Sequence, residues 1–495
     1  MRQRLLVGLV ASVALTACGS TVQMNGQGLG NGATGLGTTT QTGPAGSVGG
    51  PAGSTSVATP GATSTSAGGT STTTGNGGQT GSAGTSTGGG GVTTPSSAKP
   101  VEVGIVTFGD VNQAAAMFGG SANVGSQQAE ALTAVNWVNA HGGLAGHKIS
   151  PVFYDVALTS TETYASTYQK ICANFTQDHH VVAAVFIGNA ETSFADCLAK
   201  TKTLLYTDGH YLHSADDYAK MLYTVTPDDA GSDRVARAIV SEILGHGYLK
   251  SGDTLGLLVM DYAGPVSARD KIIVPMLKAR GIKVIDYTIP PPQSTPDIAN
   301  SASVVSSAEL KMAAQGVKNV TFLCPGCAGF FMQDAESQNY YPRYIVTSYD
   351  TMLGVKGKGH GKSLASALGI GWDPQRDVGS WANPGLMSFN SSYKICRTIE
   401  KANYNSDDSM WASLALCGAF YDLYTAAQAN PVQPVAGASL LGGFNSFGTS
   451  HPAVFNFTTE LTATRHDGAA SYRTLHYDKP CDCMQYDNSS NKPLS

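Results

Sequence analysis

No charged side chain occurs between Arg4 and Lys99. Residues 19–98 are almost entirely Gly, Ser, Thr, Ala, Pro, Gln and Asn. Such a composition buries too little apolar surface to offset chain entropy, so a disordered tether is expected there, with an r.m.s. span of roughly 50 Å. Other absences narrow the function. The net charge is only −5, and no basic stripe marks a nucleic-acid partner. No Gly-x-Ser-x-Gly elbow occurs beyond residue 98 to expose a serine nucleophile, which leaves hydrolase chemistry little basis. Residues 357–363, GKGHGKS, place three residues before Gly-Lys-Ser where a phosphate-binding loop has four, so a flexible surface loop is expected instead. Beyond residue 15 no apolar run reaches the length of a membrane span.

What is present begins with an export signal. Arg2 and Arg4 precede a mainly apolar stretch, residues 5–15, which ends in Leu15-Thr16-Ala17-Cys18. This ending resembles the bacterial lipobox, which implies cleavage before Cys18 and lipidation of that cysteine. The expected organisation is a signal peptide over 1–18, a tether over 19–98 and an extracytoplasmic, membrane-anchored folded region beyond.

Nine cysteines occur. With Cys18 lipidated, eight remain, an even number in an oxidising compartment. Cys172 and Cys197 fall on neighbouring expected helices, as do Cys396 and Cys417. Cys324 with Cys327, and Cys481 with Cys483, form either two local bridges or cross-links between the two pairs. A C-x-x-C between a strand and a helix is also where a thiol oxidoreductase keeps its nucleophile, so redox activity at Cys324 and Cys327 is the rival reading. No metal or cofactor is expected.

From residue 101 strands alternate with helices. Strands are expected at 101–108, 148–154, 181–187, 203–207, 221–225, 254–260, 283–287, 319–323 and 343–347. Helices are expected at 161–174, 229–245, 267–280, 307–315 and 328–339, and residues 109–125 read as a long loop. The run VVAAVFI over 181–187 is apolar throughout, as a strand covered on both faces requires. Alternation of this kind gives parallel α/β sheets. Its length, nearly 390 residues, exceeds one ordinary sheet, so two doubly wound lobes are expected, with ligand at the carboxyl ends of their strands.

Residues 131–155, ALTAVNWVNAHGGLAGHKISPVFYD, are the most distinctive stretch. Ala131, Val135 and Val138 share one helical face, and Gly142 and Gly143 supply the left-handed stop. His141 suits the last-turn carbonyls, and Asp155 closes the following strand. Asn139, Gly142, Gly143, Gly146, His147, Lys148 and Ile149 resemble the signature of type I periplasmic binding proteins of the branched-chain amino acid receptor group. His147 stands where that family carries Arg, Lys or Asn.

The resemblance implies two lobes joined by three hinge crossings, placed near 226, 369–372 and 474. The N-lobe is then 99–226 with 371–474, the C-lobe 227–370 with 475–485, and 486–495 a flexible tail. It also implies a non-enzymatic receptor for a small polar ligand, an amino acid or a relative, serving an ABC transporter or a signalling receptor. The candidate ligand residues lie in strand-to-helix loops: Phe108; Asn189, Thr192 and Ser193; Asp208, Gly209 and His210; Tyr262; Tyr349 and Asp350. The N–H groups opening the helix after Asn189 suit a carboxylate. In the family a hydroxyl at the place of Thr192 holds the amino acid carboxylate, an aromatic near Tyr262 covers the ligand, and an acid near Asp350 takes its ammonium.

Overall fold

The computed structural model describes residues 98–495 apart from 118–123, 189, 209–211, 379–386, 388, 404–406 and 488–489. Cys18 and the expected tether lie outside the described residues. Five strands form the first sheet: β1 (Val101–Thr107), β2 (Ile149–Asp155), β3 (Ala183–Phe186), β4 (Leu204–Thr207) and β5 (Thr224–Val225). All pair in parallel, in the order β2-β1-β3-β4-β5. Side chains alternate across a strand, so each strand supplies two cores. Val103, Ile105, Ala183 and Val185 join a cluster with helix Gln127–Ala140. Val106, Ala184 and Phe186 join another with helices Tyr164–Ala173 and Thr192–Lys200.

The signature stretch works as a clamp between helix and strand. The Asn139 side chain donates to the Ile149 carbonyl (3.0 Å) and accepts from the Ile149 N–H (2.7 Å), fixing where β2 begins. Gly143 has φ 68°, and a Cβ there would stand 2.1 Å from the His147 carbonyl oxygen. His147 bridges the Lys99 carbonyl and Gln433, each at 2.7 Å.

The second sheet holds β6 (Thr254–Met260), β7 (Lys283–Ile289), β8 (Asn319–Leu323), β9 (Arg343–Thr347), β10 (Leu368–Gly371), β11 (Ser471–Asp478) and β12 (Cys483–Tyr486), in the order β12-β11-β10-β9-β8-β6-β7. β13 (Lys492–Pro493) pairs with β11. β6 to β10 are parallel; β11 runs antiparallel to β10, β12 and β13. After β10 the chain returns to the first lobe, where helix Asp407–Ala429 packs against the core face of Gln127–Ala140. The crossings follow β5, follow β10 and precede β11. A bridge between Thr226 and Asp467 ties the first to the third.

Several expectations need correcting. Residues 111–117 form a helix inside the expected loop, anchored by Asp110, whose carboxylate accepts from the N–H groups of Leu158 and Thr159. The helix expected at 307–315 begins at Ile298. The third crossing comes before β11, so Thr474 lies inside a strand of the second sheet. The expected flexible tail includes β13 and a buried Leu494. The loop expected at 357–363 is packed at its end, where His360 and Ser363 both bond to the Glu336 carboxylate. Disulfides join Cys172–Cys197, Cys396–Cys417, Cys324–Cys327 and Cys481–Cys483, so both close pairs are local.

Two carboxyls are buried where three helices of the first lobe meet. Desolvation pushes Glu130 up to about 7 and Glu400 up to about 8. A carboxyl raised in this way holds its proton in the folded chain after the unfolded chain has lost it. Its contribution to stability is therefore complete below the ordinary carboxylate range and is lost as pH rises to about 8. The loss is on the order of 3 kcal/mol per carboxyl. Urea unfolding of the Glu130→Gln, Glu400→Gln double variant is expected to show a flatter decline between pH 5 and 8.5 than the parent. Parallel declines would mean that these carboxyls do not control it.

Candidate functional site

Three strand-to-helix connections converge at the carboxyl ends of the two sheets. The first follows β3 and opens helix Thr192–Lys200. Its N-cap, Glu191, is extended and makes no side-chain cap bond. The Phe194 and Ala195 N–H groups bond to the Glu191 carbonyl. The N–H groups of Thr192 and Ser193 lack partners within the helix, as at every helix start. The Ser193 hydroxyl donates to the Glu191 carboxylate at 3.3 Å.

The second connection follows β4. His213 is buried, with a ring nitrogen 3.3 Å from the Ala190 carbonyl and its ring edge-on to Tyr218. Burial pulls the imidazole down to about 4, so it is neutral at pH 7. Asp217 is committed to a capping box: its carboxylate accepts from the Ser214 N–H and hydroxyl, both at 2.8 Å. The third connection follows β6 and carries Tyr262, Ala263 and Gly264. Together Glu191, Thr192, Ser193, His213, Asp217, Tyr262, Ala263 and Gly264 line a cleft of about 220 Å³. Among the described residues the lining includes two carboxylates and no lysine or arginine.

The lobes touch beside this cleft. A Cβ on Gly264 would stand 1.9 Å from the Leu212 carbonyl oxygen. The Ser232 N–H donates to the His213 carbonyl (2.9 Å), and the Ala215 N–H to the Asp233 carboxylate (2.7 Å). Lys271 meets Asp216 at 3.0 Å. Farther along, the Tyr164 N–H donates to the Gln293 carbonyl at 2.8 Å. This is a closed arrangement.

The structure brings together three of the sequence-derived candidates: Thr192, Ser193 and Tyr262. Phe108 is half-buried in an aromatic wall behind them, 6.0 Å from Phe186, which packs in turn on Tyr168 and Phe194. Asp208 is drawn to Arg376, 3.5 Å away. Tyr349 is buried, donates to the Ala230 carbonyl and packs edge-on against Trp372. The Asp350 carboxylate accepts from the Thr347 N–H (2.7 Å) and hydroxyl (3.3 Å), capping a short helix. Burial pushes it up to about 8. Asp208, Tyr349 and Asp350 do not line the cleft. Asn189, Gly209 and His210 lie outside the described residues. Sequence reasoning passed over Glu191, His213 and Asp217. Glu191 was findable as the residue just before the helix that Thr192 opens. Cys324 and Cys327 are both buried, which denies a redox pair the exposed thiolate it needs.

No family model matches the sequence, and no curated protein sequence matches it. Solved structures share its fold. A Leu complex of an ABC transporter substrate-binding protein from Desulfitobacterium hafniense superposes with a TM-score of 0.52 at 14% identity, covering 78% of this chain and all (100%) of that one. A solute-binding protein of an ABC transporter from Rhodopseudomonas palustris HaA2, bound to p-hydroxybenzoic acid, gives 0.56 at 11% identity, over 80% and 97%. A fatty acid ABC transporter substrate-binding protein from Thermomonospora curvata gives 0.53 at 13%, over 80% and 92%. The α/β architecture with parallel sheets is that of type I periplasmic binding proteins.

Gly264→Ala is expected to hold the lobes apart, since the clash is with backbone and no side chain can turn away from it. Small-angle scattering should show a larger radius of gyration with an unchanged circular dichroism spectrum. An unchanged radius would show that the contact at Leu212 does not limit closure.

Proposed function

We propose that this chain is the solute receptor of an ABC transporter, which closes its two lobes on a small polar ligand and presents the closed form to the permease. The observation that carries the reading is the cleft of about 220 Å³, walled by Thr192 and Ser193 on one lobe and Tyr262 on the other. Its volume is below the roughly 300–1,000 Å³ of sites for drug-sized ligands, which favours something the size of an amino acid. A ligand carboxylate fits the Thr192 and Ser193 N–H groups and hydroxyls at the helix start. A ligand ammonium fits Glu191, and the Tyr262 ring covers the remainder. With no lysine or arginine among the described lining residues, a zwitterion suits the cleft better than the simple aromatic acid bound to the Rhodopseudomonas protein. The resemblance of the 139–149 turn to branched-chain amino acid receptors supports the same choice. No bond is made or broken. The thiol oxidoreductase reading lacks support from the buried Cys324 and Cys327.

In this reading residues 1–18 are a lipoprotein signal, Cys18 carries the lipid, and the 19–98 tether holds the receptor off the membrane. A Cys18→Ala variant is expected in the soluble extracytoplasmic fraction, with the parent in the membrane fraction. Equal partition of both would remove the anchor.

A thermal-shift screen of the full chain against amino acids, amides, aromatic acids and sugars tests the ligand class. A ligand at a hundredfold excess over its Kd stabilises the folded state by about 2.7 kcal/mol. The expected result is a selective response among amino acids or close relatives, weakened at least tenfold in affinity by Glu191→Gln and by Thr192→Ala. A response confined to acids lacking an amine would overturn the zwitterion assignment. No response across the panel would overturn the receptor reading.

A further inference from the structure

Five aspartates and one arginine are buried together where the chain passes between the lobes: Asp208, Asp228, Asp229, Asp373, Asp377 and Arg376. They come from different parts of the hinge. Asp208 follows β4 of the first lobe, Asp228 and Asp229 lie on the first crossing, and Asp373, Arg376 and Asp377 follow β10 of the second. The guanidinium of Arg376 is shared. Its Nε is 3.0 Å from Asp373, and its Nη2 reaches the Asp208 carboxylate (3.5 Å) and donates to the Asp208 carbonyl (3.1 Å). This ion pair crosses between the lobes, so rotation about the hinge must stretch it.

Among the described residues one cation, Arg376, stands within five carboxylates, and Asp228, Asp229 and Asp377 have these neutral partners. Asp228 accepts the Phe455 N–H at 2.9 Å. Asp377 accepts from the Ser348 hydroxyl (2.8 Å) and from Tyr486. One Asp229 oxygen accepts the Ala230 N–H, and the other has no hydrogen-bond partner among the described residues. The charged and titratable groups facing Asp229 are Arg376, Asp208 and Asp373, with Tyr349 and Tyr218 behind it. Asp228 faces Asp422, Asp373 and Arg376. Asp422 is itself engaged by Tyr206 and by His451. The next acid, Asp467, is matched by its own partner Arg234. Isolated carboxylates in such a place are costly unless they hold protons.

We propose that this cluster is a proton-linked clasp: the closed arrangement of the lobes keeps protons on Asp228 and Asp229, and losing them drives the hinge open. The inference leans on the receptor reading only in taking the lobes to open and close. Burial accordingly holds Asp228, Asp229 and Asp377 well above the ordinary carboxylate range, and pushes Asp373 up to about 6 against the pull of Arg376. The sign follows. The closed form binds more protons than the open one, so closure is favoured at low pH and weakens as pH rises through the range of these carboxyls, by up to tenfold per pH unit for each proton coupled.

The interlobe amides of Tyr164, Ala215 and Ser232 report closure directly, without any ligand. Hydrogen exchange of the full chain, expressed as protection relative to the intrinsic rate, is expected to fall at least tenfold at these amides between pH 6 and 9. All chains in the comparison carry Glu130→Gln and Glu400→Gln, which removes the titration of the first-lobe core, so protection at Val135 in that core should change less than threefold. In Asp229→Asn, which keeps the shape and removes the titration, the interlobe fall should shrink to less than threefold. Asp228→Asn provides the same comparison if that variant does not fold. Steady protection in the parent, an equal fall at Val135, or the same fall in the asparagine variant overturns the clasp. Because no ligand takes part, any of these outcomes leaves the receptor reading intact, and an empty ligand screen leaves the clasp intact.

Discussion

The hinge depends on one side chain, Arg234. Its guanidinium donates to the Asp467 carboxylate (2.8 Å through Nε), to the Asp467 carbonyl (3.0 Å), to the Ala469 carbonyl (2.7 Å) and to the Leu494 carbonyl (3.1 Å). It therefore joins the start of helix Ser232–Gly245 to the third crossing and to the last residues of the chain. Asp467 in turn accepts the Gly231 N–H at 2.6 Å, and its backbone bridges Thr226. A planar, permanently charged fork is suited to holding several oxygens in fixed directions. Removing either member of so buried a pair leaves the other uncompensated, which costs about 3–5 kcal/mol. The geometry of the crossings, and so the line about which the lobes turn, is set there.

Upon that axis the two sheets place their carboxyl ends toward one another. The helix start at Thr192 and the loop at Tyr262 belong to opposite lobes, yet line one cleft. The closeness of approach is governed by a missing side chain: only glycine at 264 allows the second lobe to press on the Leu212 carbonyl. The polar groups around the cleft are largely spoken for by local caps, as Asp217 is by Ser214. That leaves Glu191 and the N–H groups of Thr192 and Ser193 as the groups suited to a newcomer.

The fold was readable because its signals are local. The 139–149 turn carries its own hydrogen bonds in Asn139 and its own stops in glycine, and the apolar run that becomes β3 reads as a strand covered on both faces. The helix at 111–117 was not readable, because its anchor is a carboxylate bonded to residues nearly fifty positions away. β13 escaped for a similar reason: two residues, one of them proline, take on strand character only from β11 beside them. At the site, Thr192, Ser193 and Tyr262 were found from their places after strands. Asp350 and Tyr349 occupy equivalent places, but whether a side chain turns to the cleft or back into its own lobe is decided by packing. Thr347 and the Ala230 carbonyl claimed these two.

The packing of helix Asp407–Ala429 on helix Gln127–Ala140 has a consequence for the order of folding. The core face that Ala131, Ala134, Val135 and Val138 present is finished by residues made almost 300 positions later. As the chain is synthesised from its N-terminus, the first lobe stands with that face uncovered until the whole second parallel sheet has followed. Such long-range closure is slow, and the exposed surface is prone to wrong association in the meantime. The second lobe has its parallel strands β6 to β10 in one continuous stretch, so its core can gather first. The first lobe is then closed only after the parallel part of the second, and β11 to β13 finish the second sheet last of all.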